Sequence, residues 1–202
     1  MHIITSGRVI LPFVVGSLFA SQLYAQTHDH PAPAATAAVP SAETKQAFAL
    51  LKTLAGEWQG PIVEPVSKTN VKMDVSLRVT SRGNALVHEM KSAEATDNPL
   101  KNDHPVTMIY LDGASLLLTH YCDAGNRPRM SATVSPDGKQ IDFDFLDLTG
   151  PTSYGHMQHV RFTLVDDTHH TEEWSYLQAN GKTFTGRFDL VRVSTVASLP
   201  AK

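Results

Sequence analysis

The 202-residue chain holds one cysteine, Cys122, so no intrachain disulfide can staple it and its fold must stand on a buried core. Charge of neither sign dominates. Seventeen Lys and Arg stand against 20 Asp and Glu with no basic stripe, which argues against nucleic acid and anionic membrane as partners. Long apolar runs are missing too. The one apolar stretch near the start, Val9 to Ala20, is about a dozen residues, short of the roughly 20 that span a bilayer. Several motifs are also absent: the Gly-x-Ser-x-Gly elbow, the Gly-rich phosphate loop and the His-Glu-x-x-His helix. Nucleophilic catalysis therefore finds little support.

What is present begins with an export signal. Arg8 and the free amine precede the apolar stretch, and Ser21-Gln-Leu-Tyr-Ala25 ends in a small residue, the layout of a secretory signal peptide over 1–25. A periplasmic or secreted location follows, with no stable membrane insertion after cleavage. Residues 26–42, "QTHDHPAPAATAAVPSA", are rich in Ala and Pro and too poor in large apolar side chains to order, which predicts a disordered linker. Residues 43–196 then suit one domain, and 197–202 read as a flexible tail.

The domain opens with one helix. Ser41 can cap it, Ala47, Leu50, Leu51 and Leu54 share a face, and Gly56 ends it. Alternation with a period of two then takes over, clearest in Val71-Lys-Met-Asp-Val-Ser-Leu-Arg-Val79. Further β-like runs follow at 85–90, 106–111, 116–122, 129–134, 141–146, 156–165, 171–177 and 184–193, most of them separated by Gly, Asn or Asp turns. With Glu57–Val63 in front, about ten strands are joined by short links, which imply antiparallel neighbours. So many strands would leave two long edges unless they closed. The predicted fold is mainly β: a single up-and-down antiparallel barrel with the N-terminal helix over one mouth, a β-sandwich being the rival.

"LAGEWQG", Leu54 to Gly60, carries a Gly-x-Trp after a short helix, and this resembles the first-strand signature of calycin barrels such as lipocalins, fatty-acid-binding proteins and nitrobindin-like domains. "LTHYC…GN.PRM" is similar to an exported bacterial domain family of unsettled function. The resemblance implies that Trp58 closes the barrel base and stacks with an arginine of the last strand, Arg187 or Arg192. It also raises haem as a cofactor held by one late histidine, with His156 and His170 as candidates.

Six residues are candidates for lining a ligand site. In "LTHYCDAGNRPRM" (118–130), His120 faces inward if Leu116 and Leu118 do, although the apolar Leu117 leaves the face open. Arg129 lies across the turn, opposite the apolar set of Met130, Ala132 and Val134, and would line only a polar interior. Parity with Val160 and Phe162 turns His156 inward, where it could pair with Glu172; Trp174 and Tyr176 share the face of Glu172. The expected function is a binding protein for a small, largely apolar molecule. Alternatives are an enzyme using the His156–Glu172 pair and a packed module without ligand.

Overall fold

The computed structural model describes residues 38–63, 70–96, 98 and 100–193. The expected signal peptide, most of the linker and the tail lie outside them.

The helix α1 runs Ala42–Thr53, and the Ser41 side chain accepts a hydrogen bond from the Thr44 N–H at its start. Ala47, Phe48 and Leu51 are its buried residues. Phe48 takes a place beside the predicted apolar stripe, while Leu50 is only half-buried. Ten strands follow: β1 Gly56–Val63, β2 Asn70–Thr80, β3 Ala85–Ser92, β4 Val106–Asp112, β5 Ser115–Tyr121, β6 Arg127–Val134, β7 Gln140–Thr149, β8 Gly155–Asp166, β9 His169–Gln178 and β10 Thr183–Arg192. Each pairs antiparallel with its sequence neighbours, and β1 pairs with β10, so the sheet closes into a barrel. The predicted barrel is the observed one, and the sandwich is excluded. No helix of the described residues is long and apolar enough to cross a membrane.

Inward side chains fill one half of the barrel. Val75, Leu77, Leu86, Ile109, Leu116, Leu118, Met130, Ile141, Phe143, Val160, Phe162 and Leu190 pack with Leu51 and Phe48 of α1 into one core. Outward polar side chains bond across strands, among them Arg161 to Asp142 and His159 to Asp144. At Gly60 the wall of β1 comes so close to β10 that a Cβ would stand 1.7 Å from the Asp189 carbonyl oxygen. Only glycine fits there.

The base is sealed by Trp58, 1% exposed, whose Nε1 donates to the Leu54 carbonyl at the end of α1. Arg192, directly opposite Trp58 in register, lays its guanidinium 4.1 Å from the indole centroid. Its Nε, Nη1 and Nη2 donate to the Asp167, Ala55 and Thr53 carbonyls in turn, so one side chain ties the helix end, the first strand and the last strand. Of the two arginines implied by the resemblance, Arg192 makes the contact; Arg187 bonds Glu173 outside the barrel. Arg192→Ala is expected to lower unfolding stability by about 2 kcal/mol, read from the shift of the urea midpoint. A change under about 0.5 kcal/mol would mean that the seam holds without it.

Candidate functional site

Polar side chains are rare inside the barrel, and they meet in one layer. His88 on β3, Thr107 on β4 and His120 on β5 lie in register side by side, all buried. Glu172 and Trp174, two residues apart on β9, face them from the other wall. Alternation along β9 explains the grouping, because His170, Glu172 and Trp174 occupy every second place and point to one side.

Glu172 is the hub. Its Oε2 accepts from Trp174 Nε1 at 2.8 Å and from His88 Nε2 at 3.0 Å, and its Oε1 accepts from His170 Nε2 at 3.0 Å. An indole can only donate, so the bond from Trp174 requires an acceptor oxygen and suits the ionised carboxylate. Burial pushes the Glu172 carboxyl up, but the His88 charge and the hydrogen bonds from His170 and His88 outweigh it and hold the group below the usual carboxylate range. The Nδ1 atoms of His88 and His170 are buried without a partner. The His170 ring stands edge-on to Trp58 at 4.2 Å, which links the polar layer to the sealed base.

Above this layer a cavity of about 760 Å³ occupies the half of the barrel away from α1. Met73, Met90, Met157, Phe184, Phe188 and Ile62 form much of its wall. Its floor is Trp174 and His120, whose rings lie 5.4 Å apart, and Trp174 separates the cavity from His88 at 5.3 Å on its other side. His120 Nδ1 is bonded to Thr107 Oγ1 at 2.9 Å. Burial, helped by the charge of His88, lowers the His120 pKa from 6.5 to about 3, so the ring is neutral at ordinary pH. Cys122, just after β5, and Tyr176 on β9 line the cavity further from α1; burial raises both their pKa values, so the thiol and phenol stay protonated.

Of the six residues expected at a ligand site, His120, Trp174 and Tyr176 line the cavity. Glu172 is fully buried outside the cavity lining and accepts a hydrogen bond from the floor residue Trp174. Two expectations are corrected. Arg129 points to the outside, where its Nε donates to Asp147 at 2.8 Å. His156 does not face inward and has no contact with Glu172: its Nδ1 bonds the Met157 carbonyl and its ring lies against the exposed Phe145. The cause is a β-bulge at Gln158, where Met157 pairs with Tyr176 and His159 with Ser175. The extra residue shifts parity, so Met157 rather than His156 enters the barrel. Glu172 instead pairs with His88, which sequence reasoning passed over. The available signal was a lone histidine in the apolar run Ala85-Leu-Val-His-Glu-Met90.

Among the described residues, no three His, Cys, Asp or Glu side chains converge to hold a metal ion. The late histidines considered for haem do not fit that role. His156 is outside the barrel, and His170 is fully buried below the floor with its Nε2 engaged by Glu172.

No protein-family model matches the chain, and no curated protein matches its sequence. Solved structures do. Rv2717c from M. tuberculosis superposes with a TM-score of 0.53 at 12% identity, covering 73% of this chain and 98% of that one. A DUF3598-family protein of unknown function from Nostoc punctiforme gives 0.46 at 10% identity, covering 71% of this chain and 49% of that one. At 12% identity the likeness to Rv2717c concerns the fold alone, here a closed antiparallel barrel.

Proposed function

We propose that this is an exported binding protein that holds a small, largely apolar molecule in the upper half of its barrel. The observation that carries the reading is the cavity of about 760 Å³, walled by methionines and aromatics over a floor of Trp174 and His120. Ligand sites commonly enclose about 300–1,000 Å³ with mostly apolar walls and a few placed polar groups. Methionine suits such a wall because its flexible thioether adapts to irregular shapes. Export rests on the sequence layout of residues 1–25. Catalysis through a carboxylate–imidazole pair is disfavoured by the same geometry, since Trp174 stands between Glu172 and the cavity.

The two tryptophans make the test direct, because Trp174 forms the floor while Trp58 is sealed at the base. Titration with 1-bromodecane, a contact quencher, is expected to quench wild-type fluorescence and to leave that of Trp174→Phe unchanged. Quenching that persists in Trp174→Phe would place the apolar molecule elsewhere. No quenching in the wild type would favour a barrel that carries no ligand. Native mass spectrometry of the protein from periplasm, with an absorption spectrum, would reveal a bound molecule directly.

A further inference from the structure

The cavity's chemistry narrows what it can hold, provided it binds a ligand as proposed above. Among the described residues, its interior has three titratable side chains besides those of the rim: His120, Cys122 and Tyr176. All three are uncharged at neutral pH, the imidazole because burial lowers its pKa, the thiol and phenol because burial raises theirs. Among the described lining residues the one cation, Lys101, is exposed at the mouth in the company of Glu94, Asp103 and Asp123. Arg129, on the strand after His120, faces out and is matched by Asp147. Below the floor lies the Glu172 carboxylate. A ligand carboxylate in the cavity would find no counter-charge beside it and would lose its water, the His88 charge below the floor being already matched by Glu172.

The floor still offers a hydrogen bond. His120 shares Nδ1 with Thr107 Oγ1, for which no other hydrogen-bond partner occurs among the described side chains. If the hydroxyl donates to Nδ1, its hydrogen is satisfied and the ring proton sits on Nε2, the edge without a hydrogen-bond partner among the described residues. A group meeting that edge is an acceptor oxygen. The row His88, Thr107, His120 fixes the ring, because neighbouring strands hold all three in register.

We propose that the cavity selects uncharged amphiphiles, with an alcohol, ether or carbonyl oxygen on His120 and a hydrocarbon body along Met73, Met90 and Met157, and that it rejects the corresponding carboxylates. His120 is then the specificity-determining residue. The hydrocarbon body supplies affinity, and the single polar contact sets orientation.

Displacement of bound N-phenyl-1-naphthylamine at pH 7 separates the cases. Decan-1-ol is expected to displace it at a concentration at least about tenfold below that needed for decanoate. Equal or better displacement by decanoate would overturn the selectivity while leaving the binding function intact. Failure of the naphthylamine, decan-1-ol and 1-bromodecane all to bind would overturn both. In His120→Leu, decan-1-ol is expected to weaken about fivefold or more while 1-bromodecane, which lacks the oxygen, is unchanged. Parallel weakening of the two would mean that His120 only supports the fold, and the assignment of the oxygen to it would fall.

Discussion

Glu172→Ala is expected to remove about 3–5 kcal/mol of folding stability, the largest loss of any single truncation considered. The carboxylate is fully buried and takes hydrogen bonds from Trp174, His88 and His170. Alanine would leave three donors in a dry interior with nothing to accept them, and a void besides. Glu172→Gln keeps the volume and one acceptor oxygen, so its loss should be smaller. Guanidinium unfolding of both variants tests the ranking. A Glu172→Ala protein within about 1 kcal/mol of wild type would show that the cluster contributes little to stability.

Acid should weaken the fold through His120. In the unfolded chain its imidazole takes a proton near 6.5, whereas in the barrel it stays neutral down to about 3. Between those values the unfolded state holds the extra proton, so stability falls as pH falls, with a limiting slope of about 1.4 kcal/mol per pH unit. The contribution is fully present above 6.5 and exhausted below about 3. Over the whole window it amounts to roughly 5 kcal/mol, as an order of magnitude. Glu172 acts in the same direction at lower pH, because its folded value lies below its unfolded one. Denaturation midpoints at pH 7, 5 and 4 should decline in the wild type and decline less in His120→Gln. A wild-type profile flat from pH 7 to 4 would mean that the ring is not held neutral by burial.

Much of the architecture was legible because it is local. The run Val71–Val79 alternates, and Val75 and Leu77 do enter the core. Turn residues marked most strand ends, and Gly-x-Trp led to the Trp58–Arg192 contact that closes the base. The site was less legible because it depends on what meets across the barrel. His88 and Glu172 are 84 residues apart, and no local pattern says that β3 and β9 face one another at that height. Parity failed at His156 for a different reason. One added residue at Gln158 reverses the face of everything before it, and nothing in Gly155-His-Met-Gln-His-Val160 announces a bulge. The inward turn of His120 followed from Leu116 and Leu118 despite Leu117, which is also buried, since β5 hides both of its faces there.

The closed strand order also bears on how the chain finds its structure. Every pairing but one joins strands adjacent in sequence, so hairpins can form in succession with small losses of chain entropy. The exception joins β1 to β10, bringing Trp58 opposite Arg192 across about 130 residues. Until that seam zips, two strands present unpaired amides and carbonyls to other chains. The arginine that clasps the helix end, the first strand and the tryptophan therefore stands where a partly folded molecule is most exposed to association, and its grip ends that exposure.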